Sequence, residues 1–201
     1  MKKILILTIA LIWTENIQAH PHVWINAFVS FIYQETSIYS IRLHWQFDPF
    51  FSQVLSSDFD HNNDGIFDSE ETKIMEKQIL TSLKDYGFFT HSLIKPQELD
   101  LFEKAQNFSA TINDRELEFT FELTLNEPVN LKTGAFGLSF YDPSNYIELI
   151  IDDRKTDQAN SLQKIGCGIE YKEGEEIFSQ SYFIVPQEAH LVKSQGFRCL
   201  I

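Results

Sequence analysis

From His22 to Ile32 the side chains alternate, with Val23, Ile25, Ala27, Val29 and Phe31 on one face and Trp24, Phe28 and Ile32 among those on the other. This pattern predicts a strand that is apolar on much of both faces. Ile38 to Phe47 alternates more cleanly, with Ile41, Leu43, Trp45 and Phe47 inward and Arg42, His44 and Gln46 outward. The two segments read as an antiparallel hairpin turning at Gln34 to Ser37. At Asp48-Pro49 the period changes. A capping carboxylate followed by proline, with Phe50, Phe51, Val54 and Leu55 at helical spacing, predicts a short helix to about Asp58. From Ser69 to Tyr86 a stripe of Met75, Ile79, Leu83 and Tyr86 predicts a second helix, with Asp68 and Glu71 as a capping pair and Gly87 as the stop.

Beyond Phe88 the alternation returns, clearest in Phe108 to Ile112, Leu117 to Leu125, Ala135 to Tyr141, Tyr146 to Ile151 and Ile169 to Tyr171. Asn113-Asp114 and Pro143-Ser144-Asn145 mark turns. The expected fold is mainly β, an antiparallel β-sandwich with a helix-loop-helix inserted at about residues 49–86. One domain is expected over residues 20–201.

Between the two helices lies the run Asp60-His61-Asn62-Asn63-Asp64-Gly65-Ile66-Phe67-Asp68-Ser69-Glu70-Glu71, which fits the twelve-residue EF-hand calcium loop. Asp60, Asn62 and Asp64 supply alternating side-chain oxygens, and Gly65 permits the sharp turn. Ile66 supplies a backbone carbonyl, Asp68 sits where a water often mediates, and Glu71 closes the shell with two oxygens. The loop is solitary, without the second loop that sensors pair with. A structural calcium site is therefore the expectation, with affinity in the range of about 10⁻⁴ to 10⁻³ M common to extracellular modules.

Residues 1–19 read as a secretory signal: Lys2 and Lys3, then the apolar run Ile4 to Trp13, then a small-residue exit at Ala19. The run is about ten residues, short of the roughly 20 that cross a bilayer, so a cleaved, periplasmic protein is expected. Cleavage after Ala19 would create the terminus His20-Pro21-His22, an α-amine and two imidazoles that suit zinc, nickel or copper. Ligands from elsewhere would have to complete such a site. His44, Asp48 and Asp142 are candidates, although each aspartate precedes a proline and reads at least as well as a helix or turn cap. In an oxidising compartment, Cys167 and Cys199, the chain's two cysteines, are expected to pair as a disulfide. The net charge of −13 argues against nucleic acid as a partner. No HExxH, GxSxG, phosphate-binding glycine loop or reactive-cysteine pattern is present, which gives no case for an enzyme.

His20-Pro21-His22-Val23-Trp24, Trp45-Gln46-Phe47-Asp48 leading through Phe51-Ser52 into Asp60 to Glu71, and Tyr141-Asp142-Pro143 together resemble a bacterial periplasmic family, domain of unknown function 1007, described as the periplasmic component of an ABC-type transport system. The resemblance implies an accessory role beside an inner-membrane permease for nickel, cobalt or zinc. It yields the expectation of a periplasmic metal-binding accessory, with histidines capturing a transition metal and calcium stiffening the helical insertion. A second expectation, from a different class, is a calcium-stabilised protein-interaction module that never touches transition metal.

Overall fold

The computed structural model describes residues 22–92, 101–130, 136–151, 167–173 and 180–186. The alternating segments form the strands β1 (Val23–Gln34) and β2 (Ser37–Phe47), followed by helices α1 (Pro49–Phe59) and α2 (Ser69–Lys84). Then come β3 (Thr90–Ser92), β4 (Phe102–Asn113), β5 (Glu116–Asn130), β6 (Phe136–Phe140), β7 (Ile147–Ile151), β8 (Cys167–Glu173) and β9 (Gln180–Pro186). The protein is mostly β, with strands in two sheets ordered β4-β5-β2-β1-β7 and β3-β6-β9-β8.

The β1–β2 hairpin closes over Glu35 and Thr36, with Glu35 in the left-handed region. Their inward rows are buried as the alternation predicts: Val23, Ile25, Ala27, Val29 and Phe31 from β1, and Ile41, Leu43, Trp45 and Phe47 from β2. Leu117, Phe119, Phe121, Leu123 and Leu125 of β5 join them, and Leu138 and Phe140 of β6 belong to the same apolar cluster. Trp45 is at its centre, edge-on to Phe121 and stacked on Phe89. Burial of these rows is the main favourable term in folding, since stabilisation scales with apolar area removed from water.

One expectation about the sheets needs correction. The large sheet is mixed, because β7 pairs parallel to β1 from Val23↔Ile147 to Ala27↔Ile151. A parallel neighbour needs a long crossover. Here the connection from β1 to β7 runs through both helices and five other strands. Alternation reports which face a side chain takes and is blind to strand direction, so the pairing could not be read in advance.

The helices sit across the inner face of the large sheet. Asp48 caps α1, its Oδ1 accepting from the Phe50 and Phe51 amides at 2.9 and 3.0 Å. Ser52 then fastens the helix to the sheet: its hydroxyl accepts from the Leu117 amide at 2.8 Å and donates to the Phe47 carbonyl at 3.3 Å. At the start of α2 the Asp68–Glu71 capping box forms as expected. Met75 and Leu83 are buried and Ile79 partly so, whereas Tyr86 lies beyond the helix end and is half exposed. α2 ends at Lys84 with Asp85 as its C-cap, ahead of the expected stop at Gly87, which at φ +60° opens the turn that follows. Phe88 and Phe89 follow, also at positive φ, which bulky residues rarely adopt. Both rings are buried in the core, and that burial offsets the backbone cost.

Candidate functional site

The loop between α1 and α2 is organised by its own acidic side chains. Asp60 accepts from the Asp64 amide at 3.2 Å and from the Gly65 amide at 2.9 Å, one on each carboxylate oxygen. Asn62 Oδ1 accepts from Asp64 N at 2.8 Å, and Asp64 Oδ1 from Ile66 N at 2.9 Å. Glu71 reaches back from α2: Oε1 accepts from His61 N at 2.8 Å, and Oε2 from Asp68 N at 3.0 Å. The backbone turns through positive φ at Asn63 and Gly65, and Phe67 anchors the loop in the core. Asp60 and Glu71 are both buried, and among the described residues neither has an ion-pair partner. Ile66 is exposed, and its amide is held by Asp64.

A second assembly forms where β1 and β7 begin and β2 ends. The Trp24 amide donates to Asp48 Oδ2 at 3.1 Å, and the Asp48 amide donates back to the Trp24 carbonyl at 3.0 Å. On the other side of β1, the His22 and Val23 amides donate to the Tyr146 carbonyl at 2.9 and 3.3 Å. Asp142 is buried and holds its turn together, accepting from the amides of Ser144, Tyr146 and Ile147 and from the Ser144 hydroxyl. The His22 imidazole lies against the Tyr146 ring, with centroids 5.0 Å apart. Sequence segments more than a hundred residues apart thus meet as one clasp at the end of the large sheet.

The sequence matches, over residues 5–188, the family described as protein of unknown function DUF1007. The chain belongs to that family. A relative from Haemophilus influenzae, itself described only as an uncharacterized protein, is similar at 18% identity over 149 residues, covering 74% of this chain and 71% of its own.

In this DUF1007 chain the expected transition-metal ligands do not come together as one set. His44 faces Phe28 across the β1–β2 ladder, six residues along β1 from His22 and therefore roughly 20 Å from it at the strand rise. Its imidazole is occupied locally, with Nδ1 3.0 Å from the Thr120 hydroxyl and Nε2 3.7 Å from a Glu118 oxygen. Asp48 and Asp142 do stand beside the start of β1, but their oxygens are committed to backbone amides. A carboxylate offers about four lone-pair sites, and Asp142 has filled them. Among the described residues no three of His, Cys, Asp and Glu form a group that could hold a metal ion. A cation in the Asp60–Glu71 loop would thus draw on the Asn62 amide oxygen and the Ile66 carbonyl as well as on carboxylates. His20, the segment 1–19 and Cys199 lie outside the described residues; Cys167 is placed in β8.

Two features escaped the sequence reading. Ser52 enters the sequence reading only as part of the Phe51-Ser52 family motif, with no structural role assigned, yet it joins α1, β2 and β5. On the outer face of the large sheet, Glu122 accepts from Arg42 at 2.5 Å and from Asn107 at 2.9 Å. Burial pushes its carboxyl up, but the hydrogen bonds from Arg42 and Asn107 and the Arg42 charge outweigh this and hold it below the usual range. Asn107 reaches Glu122 from a bulge in β4 at positive φ. No described helix is long and apolar enough to cross a membrane.

Proposed function

We propose that this is an exported, calcium-stabilised accessory protein of a transition-metal permease, in which the Asp60–Glu71 loop is an EF-hand site. The observation that carries the calcium reading is the pair of buried carboxylates, Asp60 and Glu71, drawn to the two ends of one loop without a basic partner among the described residues. Two buried anions held only by backbone amides leave charge uncompensated, and burial of unpaired charge is costly. A divalent cation offsets it. The donor types fit calcium, being all oxygen: Asp60, Asn62, Asp64 and Glu71 side chains, the Ile66 carbonyl, and Asp68 through a water. The site's part in the molecule is to fix α1 against α2, and through α1 the end of β2. The two sheets then form the sandwich around which this insertion is built.

The accessory role rests on the family resemblance and on the location of His22. The His22 imidazole lies against the Tyr146 ring, beside the start of β1, and His20 precedes it by two positions in the sequence. Zinc, nickel or cobalt would be held there by nitrogen, with neutral imidazoles as ligands. Native mass spectrometry of correctly processed protein, titrated with calcium, zinc, nickel and cobalt, tests both parts. One calcium per chain is expected, lost in Glu71→Gln. One transition metal is expected, lost in His22→Ala with calcium retained. If His22→Ala binds zinc and nickel with unchanged stoichiometry and affinity, the His22 site is refuted; if the unaltered chain takes up no transition metal, the calcium-stabilised interaction module is the better description.

A further inference from the structure

The large sheet ends in β4, and the two halves of that strand differ. Its first half carries Glu103 and Lys104, breaks register between Phe102 and Lys104 and again between Gln106 and Ser109, and has Asn107 at positive φ. Charges and bulges of this kind are the usual guards of a sheet edge. Its second half has neither. The register runs unbroken from Ser109↔Thr120 to Asn113↔Glu116, and residues 105–113 are nine consecutive positions without a charge. Among the described residues nothing pairs with the free side of this stretch. The other terminal strands are shorter or charged: β3 has three residues, β7 has five including Glu148, and β8 includes Glu170 and Lys172.

The phase of the ladder fixes which backbone groups face outward. The Leu117 amide points away from β4, since it donates to the Ser52 hydroxyl at 2.8 Å. Ile112↔Leu117 is therefore a pair without mutual hydrogen bonds, and by alternation Ala110↔Phe119 is another. Ala110 and Ile112 thus turn both N–H and C=O out of the sheet, while Ser109, Thr111 and Asn113 bond inward to β5 and show exposed, uncharged side chains. We propose that residues 109–113 pair antiparallel with the same residues of a second copy of this chain, joining two large sheets edge to edge. The segment is its own complement. Centred on Thr111, the pairing sets Ala110 of each copy against Ile112 of the other, so all four outward N–H groups and carbonyls of the pair are used. Two acidic molecules can meet here because the seam itself is neutral. The seam uses no residue of the Asp60–Glu71 loop or of the His22 end, so it is independent of both metal readings.

Sedimentation velocity of the full chain over a micromolar to millimolar series should show monomer passing to dimer and no larger species, because a two-fold contact closes on itself. The seam is small, which places the dimer in the transient class. Raising salt from about 0.01 to about 0.15 M shortens the screening length from about 30 to 8 Å and should strengthen it, since the two copies repel everywhere but at the seam. Amide exchange read by NMR should slow at Ala110 and Ile112 as concentration rises and stay unchanged at Thr111, whose amide is already bonded to β5. Thr111→Lys sets like charges directly opposite each other across the seam, from an exposed position in the monomer, and should leave monomer alone. Ile112→Pro deletes one outward amide, a change that edge strands tolerate, and should do the same; Thr111→Lys decides the matter if Ile112→Pro does not fold. A chain that stays monomeric throughout, a dimer that survives Thr111→Lys, or protection that leaves out Ala110 and Ile112 would overturn the proposal.

Discussion

The loop at Asp60–Glu71 and the clasp at His22, Asp48 and Asp142 are built from the same parts, acidic side chains accepting backbone amides, yet they differ in how densely those acidic side chains are gathered. In the clasp each carboxylate stands alone among donors; Asp142 alone takes three amides and a hydroxyl. The charge is satisfied where it stands. In the loop five acidic residues share twelve positions with no lysine or arginine among them, and Asp60 and Glu71 are buried together at its two ends. The same chemistry makes a structural joint in one place and, on the proposed reading, a calcium site in the other. What separates them is how many acidic residues crowd together along the chain, five within twelve positions in the loop against single aspartates in the clasp.

The largest effect should come from breaking the finished joint. Asp142→Ala leaves the amides of Ser144, Tyr146 and Ile147 without their acceptor, at a cost of about 3 kcal/mol for unsatisfied buried groups. For a chain of this size that is a drop in Tm of roughly 6–12 °C. The drop should be the same with calcium or with EGTA. A variant whose loss appears only in one of the two conditions would mean that the clasp and the loop are not separate devices.

The loop should respond in the converse way. Calcium at about a hundredfold above its dissociation constant should stabilise by about 2.7 kcal/mol, and EGTA should remove that gain. Glu71→Gln keeps an acceptor for His61 or Asp68 but loses the charge and the two-oxygen closure, so its melt should be insensitive to calcium. Superimposable melts of the unaltered chain with calcium and with EGTA would sink the structural calcium reading.

Between these two regions Ser52 supplies the mechanical link. Ser52→Ala removes the acceptor of the buried Leu117 amide and a donor to Phe47, and should cost about 1–3 kcal/mol. If α1 transmits the state of the loop to the sheet, the calcium-dependent part of the Tm shift should shrink in this variant as well. A loss of baseline stability with the calcium increment intact would confine Ser52 to packing.

How much of this was legible in the sequence follows from the range of the forces involved. Alternation in β1 and β2 is a local signal imposed by a buried face, and every expected inward residue is buried. The capping pair Asp68–Glu71 and the cap at Asp48 are equally local, set by residues three apart or fewer. The parallel seating of β7, the short β3 and the strand β9 depend on partners far along the chain, and no period in their own residues announces them. The site divides in the same way. The loop's hydrogen bonds from Asp60, Asp64 and Glu71 all run within twelve consecutive residues, whereas the separation of His44 from His22 is a matter of register. Ser52 lies at the other extreme, because its place in the Phe51-Ser52 motif does not say that its hydroxyl joins β2 to β5.

The smallest expected effect concerns a group outside both regions, and it tests whether acid acts on the carboxylates alone. His91 is partly buried, stacked on the Tyr141 ring at 4.1 Å, with Nε2 3.3 Å from the Tyr141 carbonyl. Burial lowers its pKa from the ordinary 6.5, and the hydrogen bond to that carbonyl offsets this only in part. The folded protein therefore holds fewer protons than the unfolded chain just below pH 6.5. Its contribution is fully present above pH 6.5 and is lost as the pH falls towards the lowered folded value. Glu122, also lowered, contributes fully only above its ordinary 4.5 and loses its share below that, so the two windows are distinct. Thermal melts from pH 8 to pH 5 should show Tm beginning to fall near pH 6.5, and His91→Phe, which keeps a ring against Tyr141, should flatten that early part of the slope. Because Tyr141 directly precedes Asp142, a slope that survives in His91→Phe would move the proton-sensitive element away from this corner of the molecule.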